Sequence, residues 1–218
     1  MIRKIYCLCE STFEEDIPQE IDLDKEPAYL NEILEGSFFS FTCKNCNKKH
    51  KPEFLLTILW PSKKLRMEVF PEVDRSDFFR RQKAPVYKDD LVLETIIGYP
   101  EMADRIAVIN DGLDPVATEA IKYFLHMKAE EQSRENEIII WYYGLSDSLS
   151  DSSHLLFHIH GMRSNEIAKM KIPLSLYDET LKDYKKHPKK EIYKSLRFKT
   201  YLSVRNTMKI EFGAGGRA

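Results

Sequence analysis

The chain has 218 residues, of which 43% are hydrophobic and 31% are charged, so it can bury a core and is neither a disordered nor a fibrous protein. Its 35 acidic and 33 basic residues give a formal net charge of −2, which leaves no overall field to attract nucleic acid or an anionic membrane. No apolar run reaches the roughly 18 residues of a membrane-spanning helix, and none follows the basic residues at the N-terminus. We therefore expect a soluble cytoplasmic protein with no membrane partner.

Residues 1–75 are predicted to form short strands and turns around one helix. The predicted elements are strands at 2–6 and 12–17, a helix at 27–36, and strands at 37–42, 53–60 and 64–70. Pro27 suits the first turn of a helix, and Gly36 suits the residue that ends one. Pro61-Ser62 suits a turn between the last two strands.

The pattern changes near residue 80, where longer helical segments begin. The predicted elements are helices at 103–132, with a break at 112–115, and at 174–187, and strands at 137–143, 154–162 and 167–172. The type of residues 192–210 is left open. Residues 76–100 contain too many large apolar side chains for a flexible linker, so we expect the two halves of the chain to share an interface.

All four cysteines lie in the first quarter of the chain, as the pairs Cys7-Leu8-Cys9 and Cys43-Lys44-Asn45-Cys46. Thiols stay reduced in the cytoplasm, which favours metal binding over disulfides. Two thiolate pairs brought together can close the tetrahedral shell of a structural zinc ion. Asn47, after the second pair, tolerates the left-handed backbone that such a turn needs.

We therefore predict that Cys7, Cys9, Cys43 and Cys46 bind one structural Zn²⁺ ion. Two other interpretations stay open: four free buried cysteines, or a redox pair at Cys7 and Cys9 activated by Lys4. The predicted fold class is α+β. A zinc-ribbon-like β module with one helix occupies residues 1–75, and a mixed α/β C-terminal domain over residues 76–212 packs against it.

Residues 4–71 resemble the CpXC domain, a bacterial family named for a Cys-Pro-X-Cys motif. The matching segments are Ile5-Tyr6-Cys7, Phe13 to Pro18, Glu35 to Phe38, Cys43 with Cys46, Lys51 to Phe54, and Val69 to Glu72. The chain departs from the motif in its first pair, which lacks the proline and one spacer, and in Lys44, which stands where the second proline would be. The resemblance implies zinc binding and no particular enzymatic activity.

Three histidines lie on one predicted strand, His154-Leu155-Leu156-Phe157-His158-Ile159-His160. Alternate residues of a strand share a face, so the three imidazoles should point together. They could form a catalytic metal site with an acid of residues 147–151. We instead expect an open outward face, opposite Leu155, Phe157 and Ile159, with imidazoles that titrate normally.

The segment 182–209 carries ten Lys and Arg residues interleaved with Tyr184, Tyr193, Phe198 and Tyr201. Basic residues alternating with aromatic rings are typical of grooves that bind single-stranded nucleic acid. The same segment could pair with the acidic residues between Glu10 and Glu35, within the molecule or across a dimer.

Three functions follow from these patterns. The leading hypothesis is a non-catalytic zinc-binding protein that acts as a protein-interaction or scaffold module, with a protein partner or self-association, because four cysteines leave zinc no open position. The first alternative is a nucleic-acid-associated zinc-ribbon protein that uses residues 182–209. The second is a metalloenzyme that uses His154, His158 and His160.

Overall fold

The computed structural model describes residues 1–80, 87, 89–132, 137–146, 153–163 and 166–207. The chain divides into two compact units, the first comprising Met1–Ala103 and the second Asp104–Ala218. Helices and strands are mixed in an α+β arrangement, as predicted. None of the helices in the described ranges is long and apolar enough to cross a membrane.

The first unit is built mainly from short strands. In chain order its elements are β1 (Ile2–Tyr6), β2 (Thr12–Asp16), β3 (Glu20–Asp22), α1 (Pro27–Glu35), β4 (Phe41–Thr42), β5 (Lys49–His50), β6 (Leu56–Trp60), β7 (Leu65–Phe70), α2 (Arg75–Arg80) and β8 (Val92–Ile97). β1 pairs with β2 and β4 pairs with β5 in antiparallel hairpins. β3, β6, β7 and β8 lie side by side in that order, and β6–β7 is the antiparallel pair among them.

The predicted helix at 27–36 and its termination are confirmed. Gly36 follows α1 with φ +71°, a left-handed conformation that glycine adopts without steric cost. The strand predicted at 37–42 is wrong over its first four residues. The amides of Ser37 and Phe38 hydrogen-bond back to the Glu32 carbonyl oxygen, at 2.8 and 3.0 Å, and this cap bends the chain away from a strand.

Two short strands of the first unit, β3 and β5, were not predicted. With three and two residues respectively, they are too short to show a period of alternation. The division of the chain after Ala103 groups β8 with the N-terminal strands, because β8 pairs with β7 over residues 92–97. The division into a module of residues 1–75 and a domain of residues 76–212 that packs against it stays a prediction.

The second unit combines helices with an antiparallel sheet. Its elements are α3 (Tyr99–Asn110, which begins in the first unit), α4 (Pro115–Gln132), β9 (Ile139–Ser146), β10 (His154–His160), β11 (Ile167–Pro173), α5 (Leu174–Lys186), α6 (Glu191–Ser195), β12 (Arg197–Phe198) and β13 (Tyr201–Leu202). The predicted break between the first two helices is confirmed. Asp114 caps α4, because its carboxylate accepts hydrogen bonds from the amides of Val116 and Ala117 at 2.8 and 3.1 Å.

β10 is the middle strand of the sheet β11–β10–β9. Leu155, Phe157 and Ile159 are fully buried on its inner face, as predicted, in a cluster that also contains apolar residues of α4 and α5. Burying three large side chains on alternate positions fixes which face of the strand is inward, because a slip by one residue would reverse it.

A group of four charged side chains lies buried in the second unit. Lys122 of α4 donates hydrogen bonds to Asp104 of α3 and to Glu119, the latter at 2.8 Å. Arg105 lies 3.5 Å from Glu119 and donates to the Leu202 carbonyl oxygen at 2.8 Å. Two positive and two negative groups therefore neutralise one another and join both helices to the segment near β13.

Backbone groups complete this buried network. The amide of Val204 donates to the second carboxylate oxygen of Glu119 at 2.7 Å, and the amide of Tyr142 donates to Asp104. Burial alone would lower the pKa of Lys122, but the adjacent Asp104 and Glu119 carboxylates raise it, so the ammonium stays charged. Removing one charge would leave the opposite charges buried and uncompensated.

The network yields a prediction about stability. Lys122→Met removes the ammonium but keeps most of the aliphatic stem, so two buried carboxylates lose their partner. We expect the free energy of unfolding to fall by about 3–5 kcal/mol, measured by urea denaturation. Lys128→Met, an exposed lysine of the same helix, is the control and should change stability by less than about 0.5 kcal/mol. Equal effects of the two substitutions would contradict a stabilising role for the network.

Candidate metal centre

Each cysteine pair lies in or beside the turn of one short hairpin. Cys7 and Cys9 follow β1, and the turn closes when the Cys7 amide donates to the Ser11 carbonyl oxygen at 3.0 Å. Cys43 and Cys46 lie between β4 and β5, where the Cys43 amide donates to the Lys48 carbonyl oxygen at 2.9 Å. A residue with a left-handed backbone occurs in each turn, at Glu10 (φ +67°) and at Asn47 (φ +58°). The prediction for Asn47 is therefore confirmed.

The two turns bring all four sulfur atoms together. Sγ of Cys7 lies 3.4 Å from Sγ of Cys46, and Sγ of Cys9 lies 3.7 Å from Sγ of Cys43. All four atoms lie within 4.8 Å of one another. Each close contact joins one hairpin to the other, so the cluster links two segments that are about 35 residues apart in sequence.

Three polar side chains contact the sulfur atoms. The Ser11 hydroxyl lies 3.0 Å from Sγ of Cys9 and 3.1 Å from Sγ of Cys43, and the Asn45 amide donates to Cys9 at 3.4 Å. Nε2 of His50 lies 3.2 Å from Sγ of Cys7. Groups that donate to thiolate sulfur orient it and stabilise its negative charge.

These contacts give the cysteine thiols different pKa values. The hydrogen bond from Ser11, supported by the one from Asn45, lowers the pKa of Cys9 to about 5, and Ser11 also lowers the pKa of Cys43. Although the backbone amide of Cys9 favours the Cys7 thiolate, burial and the surrounding sulfur atoms raise the pKa of Cys7 to about 12. Four thiolates this close repel one another, so a bound cation is needed to ionise the whole set.

The arrangement fits a single metal ion with four sulfur ligands. Sulfur atoms at about 2.3 Å from a tetrahedral zinc ion lie about 3.8 Å from one another, close to the shortest distances between the two hairpins. The sulfur atoms of Cys9 and Cys43, which come from different hairpins, are near enough to bind the same ion. The four cysteines can therefore hold one metal ion.

Ser11, Asn45 and His50 were not predicted to belong to the site. Asn45 lies within the second cysteine pair, and Ser11 follows the first pair by two residues, so their positions could have indicated contact with sulfur. His50 is different, because its ring reaches Cys7 only when β5 folds back on β4. Sequence spacing carries no signal for that contact.

The three histidines of β10 share one face, opposite the buried Leu155, Phe157 and Ile159, as predicted. The expectation of an open face with normal titration is wrong for His158. Its ring stacks on Tyr143 of β9 with centroids 4.1 Å apart, and burial lowers its pKa. Its Nε2 is buried with no hydrogen-bond partner among the described atoms. The physical reason is the register, because β9 brings an aromatic ring over the imidazole.

The histidines do not form a metal site with the residues that the structure describes. In those residues, the group whose ligand atoms converge is the set of four cysteines. The acids of residues 147–151, which the metalloenzyme hypothesis needs as a further ligand, lie outside the described part of the chain.

Two of the four aromatic rings predicted to bind bases in residues 182–207 are buried. Tyr193 and Tyr201 are buried at 4% and 1% exposure, and Tyr184 packs against Tyr193 with ring centroids 5.0 Å apart. The Tyr193 hydroxyl also donates to Asp183 at 2.7 Å. A stacking ring must be exposed to receive a base, so Tyr193 and Tyr201 are not available for stacking. Phe198 is half-buried, with Nζ of Lys199 5.0 Å from its ring centroid. Binding of nucleic acid by this segment stays a prediction. Lys209 lies outside the described residues.

Comparisons with known proteins find a family whose model spans the cysteine cluster. The family model described as CpXC protein matches residues 5–122, a span that includes all four cysteines. An uncharacterized protein of Treponema pallidum (strain Nichols) is 25% identical to the chain over 225 residues, which cover 93% of this chain and 97% of the relative. No solved structure matches the chain.

The contact between Ser11 and two cysteines gives a prediction about metal affinity. Ser11→Ala removes a hydroxyl that touches Cys9 and Cys43, so the thiolates lose a donor that orients them. We expect Co²⁺, followed by its thiolate absorption bands, to bind about 10–100-fold more weakly. Ser40→Ala, at a serine outside the cluster, is the control. An unchanged affinity in Ser11→Ala would show that the hydroxyl does not support the ligands.

Proposed function

The chain belongs to the CpXC protein family, and from this premise we propose that it is a non-catalytic zinc-binding protein. In this proposal Cys7, Cys9, Cys43 and Cys46 hold one structural Zn²⁺ ion in a zinc ribbon. The observation that supports it is the convergence of four sulfur atoms from two hairpins within 4.8 Å. Zinc prefers thiolate sulfur and takes four ligands in closed structural sites.

The compactness of the cluster favours one ion over an iron–sulfur cluster. Sulfur ligands on opposite sides of a multi-iron cluster are separated by the whole cluster, whereas two sulfur ligands of one zinc ion lie at most about 4.6 Å apart. The distances of 3.4 and 3.7 Å between hairpins suit one ion. Among single ions, zinc needs no redox partner and accepts the tetrahedral geometry readily.

The absence of an open coordination position supports a structural rather than a catalytic role. Catalytic zinc keeps one position for water or substrate, whereas four cysteines occupy all the positions of a tetrahedral ion. The ion would instead stabilise the first unit. β4 and β5 have only two residues each, so their hairpin gains little from its own backbone hydrogen bonds and depends on the link to β1–β2.

Exposed apolar side chains beside the cluster support an interaction role. Ile2 and Tyr6 of β1 are 68% and 71% exposed, and Leu8, between the first two cysteines, is 88% exposed. Ile2 and Tyr6 lie on one side of β1, which also carries Lys4, and Leu8 lies in the turn that follows the strand. We propose that this side contacts a protein partner or a second copy of the chain, in the cytoplasm.

Metal analysis tests the proposal. The full chain, purified without chelator, should contain about one zinc equivalent, and removal of the metal should loosen the first unit most, measured by hydrogen exchange. Cys43→Ser should lose the zinc and show the same loosening. Lys44→Ala, an exposed neighbour in the same turn, is the control and should keep the metal. Purified protein with no bound zinc, and no change on zinc addition, would refute the proposal.

A further inference from the structure

The sheet β9–β10–β11 has one face covered by helices and one face exposed. The buried cluster of its inner face contains residues of α4 and α5, including Ile121, Leu125 and Tyr177. The outward positions are Ile139, Trp141, Tyr143, Gly144 and Ser146 on β9, the three histidines and Leu156 on β10, and Ile167, Lys169, Lys171 and Pro173 on β11. Tyr143 is 63% exposed and Ile167 is 53% exposed, so the outward face lies open to solvent.

The outward face carries rings and cations but no carboxylates. All three strands are described in full, and none of their outward residues is acidic. Among the described residues within two positions of the strand ends, the acidic ones are Glu137 and Glu166. Each is paired with an arginine, Arg205 at 3.3 Å and Arg163 at 3.5 Å. The outward residues of the three strands therefore carry a net positive charge, on a chain whose net charge is negative.

The strand register places an aromatic ring of β9 and a lysine of β11 at the two ends of a row of residues paired across the sheet. Trp141 lies opposite His158, and His158 lies opposite Lys169. In the next row, Leu156 is paired with Gly144 of β9 on one side and with Lys171 of β11 on the other. Tyr143 directly precedes Gly144 in β9. Two strand spacings of about 4.8 Å separate the edges by about 10 Å, a distance on the scale of one nucleotide. The face can therefore contact bases at β9 and phosphates at β11.

The stacking of Tyr143 on His158 holds an aromatic ring in a position where a base can stack on it. One side of the Tyr143 ring lies against the His158 imidazole, with an interplanar angle of 27°. This contact holds the tyrosine ring in one orientation while more than half of the side chain stays accessible. A fixed, exposed ring on the same face as exposed lysines is the combination that binds single strands without regard to sequence.

From this arrangement we infer that the outward face of β9–β10–β11 binds single-stranded nucleic acid, with Tyr143 and Trp141 stacking on bases and Lys169 and Lys171 contacting phosphates. Duplexes bind less well, because their bases are already stacked on one another. The surface differs from the 182–209 segment, in which Tyr193 and Tyr201 are buried. The occupant is a nucleic acid rather than a protein, because a face with cations and no carboxylates complements a polyanion.

The test measures binding of fluorescein-labelled dodecamers of thymidylate and of uridylate to the full, metal-loaded chain by fluorescence anisotropy at low salt. We expect micromolar binding of one or both single strands and weaker binding of a duplex of the same length. Preference for the uridylate strand would identify RNA as the ligand, and preference for the thymidylate strand would identify DNA. Tyr143→Ala should weaken binding about tenfold, whereas Tyr143→Phe, which keeps the ring, should bind like the wild type.

The lysines are tested through the salt dependence. Lys169→Ala with Lys171→Ala should make the slope of log K against log salt shallower by roughly 1.4, about 0.7 for each lost phosphate contact. The matched control removes two exposed lysines of α5, Lys185→Ala with Lys186→Ala, and should leave the slope unchanged. Three outcomes would overturn the inference: no binding of either single strand by the wild type, equal losses in the two double variants, or a dimer that Tyr143→Ala dissociates while no oligonucleotide binds.

Discussion

The first unit depends on the convergence of four sulfur atoms between two hairpins. β4–β5 has two residues in each strand, and β1–β2 has five, so neither hairpin has enough backbone pairing or buried surface to be stable by itself. The contacts of Cys7 with Cys46 and of Cys9 with Cys43 both join one hairpin to the other. Each cysteine therefore lies where its hairpin turn can bring the sulfur atom to one point shared by both turns.

The groups around the sulfur atoms determine how much negative charge the cysteine cluster carries. Ser11 and Asn45 favour the thiolate of Cys9, whereas burial keeps a proton on Cys7. A cluster with mixed protonation is less charged than four thiolates, so the hairpins can approach one another before a cation is bound. In the proposed zinc-bound state, the cation would release the remaining protons and add its binding free energy to folding.

The second unit is stabilised in another way, by a core that combines apolar and ionic contacts. The inner face of β10 packs its leucine, phenylalanine and isoleucine with residues of α4, while Asp104, Arg105, Glu119 and Lys122 neutralise one another under the C-terminal strands. Because the helices lie on one face of the sheet, the opposite face is left to solvent with its own pattern of rings and lysines. One sheet thus provides both the core of the unit and a surface suited to a ligand.

Local patterns in the sequence determined the paired cysteines, the left-handed Asn47, the helix ended by Gly36, the break before Pro115 and the alternation along β10. Each of these is set by residues within a few positions of one another, where spacing and backbone preference act directly. Tertiary structure decided which sulfur atoms become neighbours and that His50 and Ser11 join them. It also decided that Tyr193 and Tyr201 are buried and that the Tyr143 ring stacks on His158. These contacts arise between segments far apart in the chain, and their free energies depend on the register of paired strands and on the packing of helices, which no local pattern encodes.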